Sequence, residues 1–270
     1  MITRRSFIAG IAGSAMVLNA RRLRDIGLQL YTVRTELKKD FDGTIAKVAS
    51  IGYSEVEFAG YYERPAAEIK RLLDRYKLKS PATHIPLQDL RSDLPKAIET
   101  AKTIGHHYIV CPWLEPSERR TLDDYRKHAA FFNQAGEACR KAGLQFGYHN
   151  HDFEFSAIEG QLPYDLLLKE TDPQLVKMEL DLYWIARGGQ DASKYFEKHP
   201  GRFELAHVKD LAKTADQAAV EAGRGTLNFK TLLDQSVKAG VRHFFVEQDE
   251  PTRPLESIKI SFDYLRLLDY

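Results

Sequence analysis

The chain has 270 residues, 43% of them hydrophobic and 29% charged, which is the balance of a soluble globular protein and not of a disordered or fibrous one. Its 39 Lys+Arg against 38 Asp+Glu give a formal charge of +1, so no global field would hold a polyanion, and nucleic acid is excluded as a main partner. The two cysteines, Cys111 and Cys139, are too few for a disulfide framework, show no zinc spacing, and read as small buried apolar residues.

Residues 1–20 differ in kind from the rest. Arg4-Arg5 precede Ser6-Phe7, a small apolar run from Ile8 to Leu18 follows, and Asn19-Ala20 close the segment. That run is too short to cross a bilayer as a helix, which takes roughly 20 residues, and its layout is that of an export signal. Thr3-Arg4-Arg5-Ser6-Phe7-Ile8 resembles the twin-arginine signature, so the precursor is expected to use the twin-arginine export machinery. Cleavage near Ala20 would release a periplasmic or secreted protein beginning around Arg21, with no stable membrane association.

From there one rhythm repeats, a short apolar β-rich run followed by a longer segment of helical spacing. The strand candidates are Ile26–Tyr31, Tyr53–Phe58, Lys79–His84, Tyr108–Trp113, Leu144–His149, Val176–Asp181, Phe203–Val208 and His243–Glu247. Between them lie faces of period 3.6, such as Ala66, Ile69, Leu72, Leu73 and Tyr76. Gly52, Gly105, Gly143 and Gly240 each stand where a helix gives way to the next strand, the place for a left-handed residue. Eight alternating βα units imply parallel strands with right-handed crossovers and predict a single (β/α)8 TIM barrel over residues 21–270. A doubly wound sheet would want a glycine-rich loop after its first strand, but Gln29-Leu30-Tyr31-Thr32-Val33-Arg34 stands there.

A barrel places its chemistry where the strands end. In order, those ends read Gln29, Glu57, His84, Trp113, His149 with Asn150 and His151, Asp181, His207 with Lys209, and Glu247. Carboxylates and imidazoles at the ends of buried strands are costly to desolvate unless paired or bound to a cation, so the ring predicts a metal site. Asp181, His207 and Glu247 end strands six, seven and eight. Neighbouring strands lie about 4.8 Å apart, close enough for three successive ends to converge on one ion. Oxygen and imidazole donors without thiolate favour Mn²⁺, Co²⁺, Mg²⁺ or Zn²⁺.

The chain from about Ile26 to its end resembles the xylose-isomerase-like barrels, the sugar phosphate isomerase/epimerase superfamily that also contains endonuclease IV-type enzymes. The resemblance is carried by Gly27-Leu28-Gln29-Leu30-Tyr31, Gly52-Tyr53-Ser54-Glu55-Val56-Glu57, the run Tyr148-His149-Asn150-His151-Asp152-Phe153-Glu154-Phe155, Asp181-Leu182-Tyr183-Trp184, His207-Val208-Lys209-Asp210, Gly223-Arg224-Gly225 and Val246-Glu247. It implies a divalent metal held by Glu, Asp, His and Glu from strands five to eight, with the two glutamates shuttling a proton beside a carbonyl. Asp181, His207 and Glu247 match the last three places. The first departs from the pattern: strand five ends at His149, and a glutamate follows only at Glu154. Glu154 is the expected fourth ligand, with His149 as the alternative. His149 or His151 is then the acid/base partner of Glu247.

The implied activity is isomerisation or epimerisation of a small carbohydrate through an enediolate stabilised by the metal. Elimination from a 3-keto-glycoside is the rival outcome, and a non-catalytic sugar-binding barrel a third reading. Phosphodiester hydrolysis of endonuclease IV type would need more ligands than this ring supplies. Glu57, His84, Trp113 and Lys209 are expected to bind substrate, with Tyr31, Phe153, Tyr183 and Trp184 as further stacking candidates. Bland readings stand beside these: Glu57 paired with Arg34, His84 bonded to a backbone carbonyl, Trp184 filling space, and Gly223-Arg224-Gly225 as an ordinary turn instead of a phosphate loop. Barrels of this type often pair, which leaves a homodimer open.

Overall fold

The computed structural model describes residues 21–270; the export-signal reading therefore falls outside the described residues. Eight parallel strands close into a barrel: Gly27–Gln29, Glu55–Ala59, Lys79–His84, Tyr108–Cys111, Gln145–His149, Val176–Asp181, Phe203–Val208 and His243–Val246. Each pairs with its neighbours in sequence, and the first closes on the last through Gly27 opposite Phe245. All eight expected strands are present. The first is shorter than expected because the Gln29 side chain accepts a hydrogen bond from Tyr31 N (3.0 Å), which starts a turn of 3-10 helix at Leu30–Val33. The fourth stops at Cys111, where Pro112 removes the next ladder donor.

The four glycines expected to end helices all have positive φ, at 120°, 99°, 79° and 112° for Gly52, Gly105, Gly143 and Gly240. The helix Leu122–Lys141 begins with a capping box, in which Thr121 and Asp124 satisfy each other's backbone N–H groups.

Two apolar layers hold the barrel. The larger lies between strands and helices and takes in both Cys111 and Cys139. The smaller, Ala82, Tyr108, Val110, Leu205 and Phe245, plugs the barrel interior. Gly27 leaves room for that plug, since a Cβ there would stand 2.3 Å from the Phe245 ring. Above the plug the inward positions turn polar, so the plug is the floor on which the site is built.

A two-stranded hairpin, Asp210–Leu211 with Ala219–Val220, follows the seventh strand and had no signal in the sequence pattern. The Gly223-Arg224-Gly225 segment beyond it is a turn closed on its own carboxylate. Asp210 Oδ2 accepts from Gly223 N and Gly225 N at 3.0 and 2.8 Å, and its Oδ1 from Leu227 N at 2.9 Å. Asp210 thus fills the place a phosphate would take.

Candidate metal centre

Side chains alternate along a strand, so residues two apart share a face. Glu179 and Asp181 both point into the barrel on strand six, and His149 and His207 join them from strands five and seven. Two overlapping groups result. His149, Asp181, His207 and Glu247 form the outer one, and His84, His149, Glu179 and His207 the deeper one. Asp181, His207, Glu179 and Lys209 are wholly buried, and His149, Glu247 and His84 nearly so.

The deeper group is joined by short contacts through one oxygen of each carboxylate, while Glu179 Oε1 and Glu57 Oε1 have no hydrogen-bond partner. Glu179 Oε2 lies 2.6 Å from His84 Nε2, 3.1 Å from His149 Nδ1 and 3.2 Å from His207 Nε2. Glu57 Oε2 stands 2.7 Å from His207 Nε2 and accepts from Gln29 Nε2 at 2.8 Å. Glu57 therefore pairs with His207 and not with Arg34, whose guanidinium goes to Glu250 and the Asp249 carbonyl. His84 pairs with a carboxylate and not a backbone carbonyl.

In the outer group the Asp181 separations are longer, while Glu247 and His207 stand at hydrogen-bond distance. Asp181 Oδ2 is 3.8 Å from His149 Nε2 and 4.0 Å from His207 Nδ1, and it makes no hydrogen bond. Two bonds of about 2.1 Å through a shared cation span such a gap, whereas the short contacts of the deeper group are hydrogen bonds. Glu247 Oε2, 2.9 Å from His207 Nδ1, completes a set of two nitrogens and two oxygens. Asp181 Oδ1 is held by Tyr183 N and Trp184 N, both at 2.9 Å, so Oδ2, ion-paired with Lys209 Nζ at 3.0 Å, is the oxygen that faces the outer group. The residues present fit a divalent cation at the outer group. His149 and His207 would bind it with one ring nitrogen each, while Glu179 and Glu57 orient the other nitrogen, as carboxylates do behind metal-bound histidines.

Lys209 brings a fixed positive charge. Its Nζ lies 2.6 Å from Glu247, 2.9 Å from Asp249 and 3.0 Å from Asp181. Three carboxylates surround this one ammonium, and His207, which burial would lower but Glu179 and Glu247 raise well above its usual value, adds positive charge beside Glu247.

The electrostatics follow from burial and these pairs. Burial pushes the Glu57 carboxyl up to about 7, helped by the Glu179 charge beside it. Burial would raise Glu179 too, but His207 and His84 hold it well below the ordinary carboxylate range, so of the two it is Glu179 that stays ionised. Burial also works against ionised Glu247, yet Lys209 and His207 keep it well below its usual value. Asp181 is raised to about 6 by burial. Burial and the neighbouring His207 lower His149 to about 3, and burial with His149 holds His151 well below 6.5, so both are neutral imidazoles.

Glu154 does not reach this centre. Strand five turns Tyr148 outward, and the buried Glu154 carboxylate accepts from its hydroxyl and from His151 N (2.9 Å). Glu154 belongs to the layer outside the barrel, and His149 occupies the fourth place in the group. Burial raises the Glu154 carboxyl to about 8. Glu179 and Asp249 are the residues that a reading of strand ends missed. Glu179 was legible from its two-residue spacing to Asp181; Asp249 lies beyond the last strand and had no such signal.

A cavity of about 740 Å³ opens above the centre, lined by His84, His149, His151, Glu247, Trp113 and Trp184 among others. Trp113 stands at its rim, and Lys209 lies beneath, out of contact with solvent.

The chain belongs to the xylose isomerase-like TIM barrel family, whose sequence profile matches residues 45–268. A sugar phosphate isomerase/epimerase from Parabacteroides distasonis ATCC 8503 is 29% identical and superposes with a TM-score of 0.76, over 95% of this chain and 98% of that one. The inosose dehydratase of Lacticaseibacillus casei is 23% identical, the match covering 72% of this chain and 71% of its own length. A solved structure of the IOLI protein with a bound zinc atom shares the fold at 14% identity and a TM-score of 0.71, over 88% of this chain and 95% of that one.

Proposed function

We propose that the protein is a divalent-metal-dependent sugar isomerase or epimerase that moves a proton at the carbon next to a carbonyl. The observation that carries this reading is the outer group, two imidazoles and two carboxylates from four successive strands, with Glu247 and His149 facing an open cavity. A divalent cation bound there would supply Lewis-acid stabilisation of the oxygen charge that develops as the proton leaves. Glu247 is ionised and faces the cavity, which suits it to take the proton. His151 lines the same cavity as a neutral imidazole and feels the Glu247 charge, which suits it to receive or return one. Return to the opposite face gives epimerisation, and return to the neighbouring carbon gives isomerisation. Residues 1–20, read as an export signal, favour free or oxidised sugars over sugar phosphates as substrates.

Elimination from a 3-keto-glycoside is a second reading, and one observation favours it. His149 stands where the family pattern has its second glutamate, so Glu247 lacks a carboxylate partner across the site. One base and one neutral imidazole suffice to lose a β leaving group, and the Lacticaseibacillus casei relative is itself a dehydratase.

Incubating the metal-loaded protein with a panel of ketoses and keto-glycosides in D2O, followed by proton NMR, tests both. The expected result is deuterium exchange at one carbon, lost with chelator and in Glu247→Gln, with the circular dichroism of the variant unchanged. Retention or loss of the leaving group separates isomerase from lyase. Exchange that survives either treatment contradicts the reading, and binding without exchange means a sugar-binding barrel.

A further inference from the structure

The mouth of the barrel carries more apolar surface than one sugar ring uses. Ligand cavities run from about 300 to 1,000 Å³, and this one, at about 740 Å³, lies in the upper part of that range, with room well beyond a single hexose. Among the described residues the exposed large hydrophobic side chains are Tyr31 (39%), Trp113 (37%) and Leu267, and the first two stand at this opening. Two rings that each keep over a third of their surface in water at one cavity mark an apolar platform for a ligand.

Both rings are held in place. Arg34 stacks 4.0 Å from the centre of the Tyr31 ring and is anchored to Glu250 and the Asp249 carbonyl. Arg119 lies 4.9 Å from the Trp113 ring and 3.3 Å from Phe153. Trp113 also stands one ring beyond His151, at 4.7 Å between ring centres, and His151 stands 5.1 Å from the ring of His149. Trp113 thus lies two ring-to-ring steps from His149, where a second ring of a substrate reacting over His149 and Glu247 would meet it.

We infer that the substrate is a two-ring glycoside, whose reacting ring sits over the metal group and whose second ring packs on Trp113. This rests on the carbohydrate reading above and adds to it the class of aglycone. Ring-on-ring packing adds to the area it buries, and a selectivity of about tenfold is the expected effect.

The chain has two tryptophans, Trp113 and Trp184, and both line the cavity, so selectively excited tryptophan fluorescence reports on this site. The test titrates the whole zinc-loaded chain with methyl and phenyl glycosides of glucose, galactose and mannose, none of which has a carbonyl to react. For at least one sugar the phenyl glycoside should bind about tenfold more tightly than the methyl glycoside. In Trp113→Ala, read through Trp184, that ratio should fall to about twofold or less, and Trp113→Phe should restore most of it. Equal affinities for methyl and phenyl glycosides, or a ratio unchanged in Trp113→Ala, overturn the two-ring inference while leaving the carbohydrate site standing. No response to any of the six glycosides overturns the two-ring inference, while deuterium exchange into a ketose would still leave the carbohydrate reading standing.

Discussion

Replacing Lys209 by methionine should separate the charge balance of the centre from its packing. Methionine keeps much of the buried stem and removes the ammonium that lies within 3.0 Å of Asp181, Glu247 and Asp249. Removing one partner of a buried ion pair costs about 3–5 kcal/mol, because the charges left behind have neither water nor a counter-ion. Asp181 and Glu247 are almost fully buried and carry that cost, whereas the Asp249 side chain is 30% exposed and is partly relieved by solvent. For a chain of this length about 1 kcal/mol corresponds to roughly 2–4 °C, so the metal-free variant should melt about 10 °C below the parent at pH 7. The deficit should shrink on lowering the pH, since the orphaned carboxylates can then take up protons. It should also shrink in saturating Zn²⁺, which restores positive charge beside Asp181 and Glu247. Thermal unfolding followed by circular dichroism in chelator and in zinc, at pH 7 and pH 5, measures all three effects. A variant as stable as the parent in chelator, or a deficit indifferent to both zinc and pH, would refute the charge balance drawn here.

Three further outcomes are expected. Glu179→Gln should weaken metal binding by about 10–100-fold while the four outer donors remain, as loss of a carboxylate behind a ligating histidine does; calorimetric titration reads it directly. Glu154→Gln should leave metal stoichiometry and affinity unchanged, and loss of the metal in that variant would return Glu154 to the centre. The third concerns pH. Burial lowers His106 to about 4 despite its bond to the Ser80 carbonyl, so the folded state resists a proton that the unfolded chain accepts below about 6.5. Its contribution is complete above pH 6.5 and declines as pH falls toward 4, by about 3 kcal/mol. Denaturant unfolding of the parent at pH 7 and pH 4 should show that extra loss relative to His106→Phe, and equal losses would sink the assignment.

How much of this was legible in the sequence depended on which physical signal each feature leaves. Parallel strands buried on both faces read as apolar runs, and helix-ending glycines punctuate them, so all eight strands could be placed. The ring of polar strand ends was visible for the same reason, and it included Asp181, His207 and Glu247. What the sequence did not show was facing. Counting only the last residue of each strand missed Glu179, and matching a family pattern at strand five pointed to Glu154 although Tyr148 carries that carboxylate outward. Lys209 read as a hydroxyl binder from its place at the barrel mouth. Its wholly buried place among Asp181, Glu247 and Asp249 is a product of three separate chain segments converging, which no local pattern encodes.

Crystallography of the zinc- or manganese-loaded protein, with anomalous scattering at the metal edge, tests the central claim most directly. One stoichiometric peak bonded to His149 Nε2, Asp181 Oδ2, His207 Nδ1 and Glu247 is the result this account predicts. A protein that stays empty after reloading, or a peak ligated by Glu154, would contradict it.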